Sequence, residues 1–419
     1  MIAWLGLVIF FAQNLACGEN STKNSVKNFS VIVKPGIDVL LEKRLDLIKG
    51  KKVGLITNQT GTTSTLKSTI DALNELPDVD LVALFGPEHG VRGDIKAGEY
   101  VPNFVDKKTG ITVYSLYDKT RRPTPEMLKN IQVLVYDIQD IGARGYTYIY
   151  TMAYAMEAAR DEGIQFIVLD RPNPLGGNRV EGNVLDPKFS SFIGLYPIPY
   201  LYGMTVGELA KLFNKEFNIN CDLIVVPMEG WKRDMTYEDT GLFWVPTSPN
   251  IPHAETVFPY ASICFIGELG TISEGVGTAL PFELLGAPWM DGEKLANELN
   301  AKNLPGIYFR PTFFIPFYHP GNYYYVKKQC SGVQIHITDT KTFRPLETQA
   351  HILTAIRKLH PEQNFFDTPR ITSFDKAAGT DELRKAVLRG DSAEEIIASW
   401  QDQLEEFKKI TEKYLIYKP

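Results

Sequence analysis

The stretch LVALFGPEHGVR, residues 81–92, decides the fold class. Its first five residues are apolar and bounded by turn formers, the pattern of a strand buried on both faces. Gly86, Pro87 and Gly90 restrict the bend that follows, so Glu88 and His89 stand on a sharp turn at the strand's carboxyl end. Similar strands are expected at residues 53–57, 111–116, 133–136, 166–170 and 223–226. Helical patterns lie between them. Residues 150–162 carry apolar positions at helical spacing, Thr124-Pro125-Glu126 reads as cap, first-turn proline and first-turn acid, and Thr205 with Glu208 forms a capping box. Continuous apolar strands alternating with helices predict an α/β fold, a parallel sheet covered on both faces.

In such a sheet, ligands bind in the crevice beyond the carboxyl ends of the strands. Polar, glycine-rich sequence follows the strands at residues 57–61, 86–92, 137–146 and 170–177, and four such loops on one side read as a site. The second half differs in character. Residues 231–259 are rich in Pro, Trp and Thr and read as a linker or irregular segment, and a further loop, Ser273-Glu274-Gly275-Val276-Gly277-Thr278, follows. Residues 333–337 alternate as a strand, and helices are expected at 346–359, 381–388 and 393–414, the last opened by a Ser392–Glu395 capping box.

With 419 residues, 44% hydrophobic and 22% charged, the chain has an ordinary globular composition and a core that needs no staples. A net charge of −6 argues against nucleic acid or an anionic membrane as the main partner. Residues 2–12 form an apolar run of signal-peptide length, and Asn14-Leu15-Ala16-Cys17-Gly18 is similar to a bacterial lipoprotein signal, although no Lys or Arg precedes the run. Residues 1–17 are therefore expected to be a signal peptide with Cys17 as a lipidation site, residues 18–32 a tether, and the protein exported, periplasmic or lipid-anchored. Cys221, Cys264 and Cys330 show no metal-ligand spacing and are expected to be buried free thiols, with one disulfide among them as the alternative.

Several chemistries are excluded by missing motifs. There is no G-x-G-x-x-G, no Walker A loop, no H-E-x-x-H and no G-x-S-x-G elbow. The six histidines, His89, His253, His319, His336, His351 and His360, are scattered, so no metal and no cofactor are expected. What remains is an acidic, amide-rich cleft: Asn58, Glu88, His89, Asp137, Asp140, Asp170, Asn173 and Glu274, with Arg92, Arg144 and Arg171. Paired carboxylates are the usual machinery of glycoside hydrolysis, and an Arg fork suits a substrate carboxylate.

The strings FGPEHG (85–90), YDIQDIGARGYTY (136–148), LDRPNPLGG (169–177), VPTSPNIP (245–252), SEGVGTALPFELLGAPW (273–289) and CSGVQIHITD (330–339) resemble the exo-β-N-acetylmuramidase family, glycoside hydrolase family 171. The resemblance spans about residues 53–388. It implies release of terminal, non-reducing N-acetylmuramic acid from peptidoglycan fragments. It also implies a Rossmann-like, doubly wound catalytic domain (residues 33–230), a linker (231–258) and a smaller C-terminal α/β domain (259–419) that completes the cleft. The family's essential glutamate falls on Glu88. Two positions depart from the family pattern: Val276 stands where an Arg is usual, and Gly145 where an aromatic residue is usual.

On this reading Glu88 is the general acid, and His89 polarises it or contacts the sugar. Asp140 and Asp137 are candidates for the second carboxylate; alternatively a 2-acetamido sugar supplies its own nucleophile. Arg144 and Arg171 are candidates to grip the lactyl carboxylate, or else pair with Asp137 or Asp170. Asn58 and Asn173 are expected to bind hydroxyls, Glu274 to close the pocket, and Tyr146 and Tyr148 to stack on the ring or pack the core. The rival readings are a muropeptide amidase or deacetylase, a lyase, and a non-catalytic glycan-binding lipoprotein.

Overall fold

The computed structural model describes residues 33–93, 102–117, 120–318 and 325–418. The signal-like run with Cys17, and His319, lie outside the described residues.

Six strands come first along the chain: β1 (Lys52–Thr57), β2 (Asp80–Gly86), β3 (Phe104–Val105), β4 (Thr112–Ser115), β5 (Val133–Asp137) and β6 (Gln165–Leu169). A hairpin follows, β7 (Val180–Val184) with β8 (Pro199–Tyr202), and then β9 (Leu223–Val226). The main sheet has the order β3-β4-β2-β1-β5-β6-β9, with β3 alone antiparallel. Counted among themselves, the parallel strands run 3-2-1-4-5-6, the doubly wound order with its reversal between β1 and β5. Alternate residues of each strand enter opposite layers. Leu55, Leu84 and Val135 pack in one core, and their neighbours Ile56, Phe85, Leu134 and Tyr136 in the other. Burial on both faces is why these strands read as unbroken apolar runs.

The second half builds an antiparallel sheet from β10 (Leu284–Ala287), β11 (Ile307–Phe314) and β12 (Cys330–Ile337), in the order β10-β12-β11. Helix Gly292–Asn300 packs on it, and helix Pro345–Leu359 packs on that helix and on Val257–Gly267. One continuous core joins Ile141, Ala143, Tyr200 and Leu201 of the first half to Leu285, Val333, Ile352 and Leu353 of the second. The helix expected over 393–414 is interrupted. It forms Ala393–Ala398 and Gln401–Thr411, followed by a 3-10 turn, Glu412–Tyr414. The break falls at Ser399, whose hydroxyl donates back to the Ile396 carbonyl at 2.6 Å, and at Trp400, whose ring is buried. Beyond it the chain returns to the main sheet. Tyr414 enters the core under β5 and β6, and Tyr417 packs with Val33, Met228 and Trp231. All three described cysteines are free.

Candidate active site

The turn after β2 is built as its composition dictates. The Gly90 amide donates to the Pro87 carbonyl at 3.0 Å, and the Leu116 amide, at the end of β4, donates to the Gly86 carbonyl at 2.8 Å. His89 is held at φ 73°, a left-handed conformation that a non-glycine residue adopts only when its surroundings fix it. Glu88 and His89 thereby face a cavity of about 750 Å³ over the strand ends. The loop after β5 contributes Gly145, Tyr146, Thr147 and Tyr148 to the same cavity.

The opposite wall comes from the second half. Helix Val257–Gly267 supplies Tyr260, Cys264 and Phe265, and Glu268, Glu274, Val276 and Phe282 follow. Glu274 is fixed from several sides. Ser273 exchanges two backbone bonds with Gly286, the Phe282 amide donates to the Glu274 carbonyl at 2.7 Å, and the carboxylate lies against Gly267. A Cβ on Gly267 would stand 2.4 Å from that carboxyl carbon, so glycine is required for the close approach. Phe282 adopts φ 63°. Its ring, Tyr260, Tyr146 and Tyr148 form a chain of edge-to-face contacts, with centroids 4.7, 6.0 and 4.9 Å apart.

The segment at 245–252, expected to be linker, is tied to the first-half loops. Tyr146 donates to the Thr247 hydroxyl at 2.9 Å, Tyr148 to the Thr247 carbonyl at 2.7 Å, and Gln59 to the Pro246 carbonyl at 2.8 Å. Ser248 and Asn250 consequently line the cavity. Burial, with the carboxylates of Glu88 and Asp140 adding to it, holds the Tyr146 phenol above its ordinary range, so it is a donor throughout the working pH range. Burial likewise pushes the Cys264 thiol up to about 12, which leaves it a poor nucleophile.

Of the residues singled out from the sequence, Glu88, His89, Tyr146, Tyr148 and Glu274 meet in this cavity. The others are not among its lining residues. Asp137 is fully buried and holds Arg171 in a bidentate pair at 2.6 and 2.9 Å while accepting from Thr69 at 2.5 Å. Arg171 also donates to the Thr62 carbonyl, and neither member of the pair lines the cavity. Arg144, expected to grip a carboxylate, is wholly buried and donates to the carbonyls of Asn183, Ile198, Ala377 and Ala378. Asp170 accepts from Thr205, Tyr417 and the amides of Arg171 and Gly207. Asn173 bridges the Leu175 amide and the Met204 carbonyl. Asn58 accepts from the Thr60 amide and hydroxyl, and Arg92 pairs with Asp106. Asp140 sits behind the wall, accepting from Gly142 and Tyr202, and burial raises its carboxyl to about 6. These side chains either satisfy backbone groups left open at loops and strand ends, as Arg144 and Asp170 do, or pair with one another, as Asp137 with Arg171 and Asp106 with Arg92.

Sequence reasoning missed Glu268, Arg370, Tyr200, Tyr260 and Arg121. Glu268 ends the Val257–Gly267 helix and is held by Arg370, whose guanidinium donates to its carboxylate at 3.2 Å and to its carbonyl at 3.0 Å. No motif marks these positions, and their aromatic neighbours read as core. Among the described residues no three His, Cys, Asp or Glu side chains stand together as a metal-ligand set.

Carboxylates facing a wall of aromatic rings at the strand ends of a parallel sheet define a carbohydrate-processing enzyme. The comparisons name its kind: the model described as "Exo-beta-N-acetylmuramidase NamZ, N-terminal" matches residues 53–255, and its C-terminal counterpart matches residues 258–417. The chain belongs to this family. It is 50% identical, over 98% of both chains, to the peptidoglycan beta-N-acetylmuramidase NamZ of Bacillus subtilis strain 168. Two crystal structures of DUF1343 family proteins from Bacteroides fragilis are similar to it. One is 46% identical, covers 93% of this chain and 100% of its own, and has a TM-score of 0.86. The other is 32% identical, covers 92% and 99%, and has a TM-score of 0.75.

Proposed function

We propose that this enzyme releases N-acetylmuramic acid from the non-reducing end of peptidoglycan fragments, with Glu88 as the general acid. The activity follows from its family membership and its near full-length identity to a peptidoglycan β-N-acetylmuramidase. The observation that supports the role of Glu88 is its position: a carboxyl on a rigid turn, facing the cavity from the carboxyl end of β2. Protonation of the departing glycosidic oxygen needs a carboxyl fixed at hydrogen-bond reach, which such a turn provides. Among the described residues the cavity holds two further carboxylates, and Glu268 is bound to Arg370. Glu274, clamped on Gly267, is therefore our second carboxylate, acting on water, on the sugar or on its acetamido group. The aromatic chain from Phe282 to Tyr146 offers the apolar face against which a pyranose ring packs.

Leaving-group dependence tests the assignment. A para-nitrophenolate departs without a proton, whereas the hydroxyl of N-acetylglucosamine does not. Glu88→Gln should cut kcat on the N-acetylmuramic acid–N-acetylglucosamine disaccharide by about 10²- to 10⁴-fold and affect the para-nitrophenyl glycoside much less. Equal losses on both substrates would remove Glu88 from the role of acid. A wild-type enzyme that releases acetate or peptide in place of sugar would replace the reaction itself.

A further inference from the structure

We propose that Arg121 is the residue that receives the lactyl carboxylate of N-acetylmuramic acid, an inference that rests on the muramidase reading above. This sugar differs from N-acetylglucosamine by a 3-O-lactyl group, so a pocket that selects it needs a cation placed for a carboxylate. Neither guanidinium first considered for that task reaches the cavity, since Arg144 binds backbone carbonyls and Arg171 binds Asp137.

Among the described residues three long-chain cations line the cavity: Arg121, Arg370 and Lys376. Arg370 is occupied by Glu268, through both its carboxylate and its carbonyl. Arg121 follows β4 on the same side of the sheet as the Glu88 turn. Its guanidinium carbon stands 4.1 Å from the centroid of the Phe192 ring, and Phe192 is itself a cavity residue. That ring is backed by Tyr154, stacked at 6.3 Å with an 8° interplanar angle. The guanidinium thus stands over an aromatic ring that is itself packed, a contact that leaves its N–H groups available. Among the described residues Arg121 has no carboxylate partner, whereas the adjacent Arg122 is taken by Asp161. A planar cation oriented in this way matches a carboxylate with two parallel hydrogen bonds. Lys376, on helix Ile371–Ala378, is exposed, as Arg121 is, but it presents a point charge on a flexible stem, whereas Arg121 has the Phe192 ring beneath it.

The test compares para-nitrophenyl N-acetyl-β-muramide with its lactyl methyl ester, using the full-length wild type, Arg121→Ala, Arg121→Lys and Lys376→Ala. On the free acid, Arg121→Ala should lower kcat/KM by about 10- to 100-fold, mostly through KM, with Arg121→Lys recovering part of the loss. On the ester, wild type and Arg121→Ala should be nearly equal, because the partner charge is absent from the substrate and the two losses do not add. Equal losses on acid and ester, or no loss on the acid, would overturn the assignment. So would an acid-selective loss found in Lys376→Ala in its place. If the wild type cleaves neither compound, the muramidase reading fails and this inference falls with it.

Discussion

Asp140 shows how a side chain with the right chemistry is turned to another use. It follows β5 on the correct side of the sheet, yet it is buried behind Tyr146 and accepts from Tyr202 and the Gly142 amide. Burial raises its carboxyl to about 6, and the bonds from Tyr202 and Gly142 only partly oppose that. Because the folded-state value lies above the unfolded one, its stabilising contribution is full below about pH 4 and is lost as pH rises through about 6. Asn at this position does not titrate. The stability difference between wild type and Asp140→Asn should therefore shift toward the variant between about pH 4 and pH 6, by at most about 1.4 kcal/mol per pH unit. Urea denaturation at three pH values measures this, and a difference that does not change with pH would refute the buried-acid description. The positions of Glu88, His89, Tyr146 and Glu274 at strand ends and loops were legible in the sequence. The pairing of Arg171 with Asp137 was one of two readings the sequence left open; the burial of Arg144 was not legible, because a charged residue in a loop reads the same whether it faces solvent or a backbone carbonyl.

Among the elements, the helix Val206–Glu216 was read most completely. Thr205 accepts from the Glu208 amide at 3.3 Å and Glu208 reaches back to the Thr205 amide at 3.1 Å, the reciprocal bonds expected from the pattern. What the pattern does not contain is the third role of Thr205, whose hydroxyl donates to Asp170 at 2.8 Å. The cap therefore also fixes the end of β6. Thr205→Ala should cost about 1–2 kcal/mol, at the upper end for a capping residue, and shift the chemical denaturation midpoint accordingly. A loss of only a few tenths would mean that the bond to Asp170 contributes nothing. The last helix illustrates the opposite case. Residues 393–414 keep helical periodicity across a break that only the burial of Trp400 reveals.

Across the whole molecule, the end of the chain completes the centre of the first half. Tyr417 donates to Asp170 at 2.6 Å and accepts from the Met228 amide at 2.8 Å, and the Ile416 amide donates to Glu208. Asp170 is pushed up to about 7 by burial, and the Tyr417 hydroxyl is the largest influence holding it down. Removing that donor harms the ionised carboxylate more than the neutral acid. Tyr417→Phe should thus destabilise by about 1–3 kcal/mol, with the larger cost above pH 7 and the smaller near pH 5. Thermal melts at the two pH values decide it, and a cost that is the same or greater at the acid pH would be the contrary result.

Local chemistry determined the order of strands and helices, the strand-end position of the Glu88 turn, the helix caps and the ordered motifs of the family. Apolar runs, capping residues and turn formers act over a few neighbours, and sequence displays those neighbours directly. Tertiary structure alone decided which charges face the cavity. It brought Glu274, Tyr260 and Arg121 to Glu88 from segments far along the chain, and it buried Asp137, Arg144 and Asp170 in bonds to distant partners. The physical reason is that a charged side chain's role depends on whether its field is answered by protein or by water, and that is settled only when the two halves close on one core.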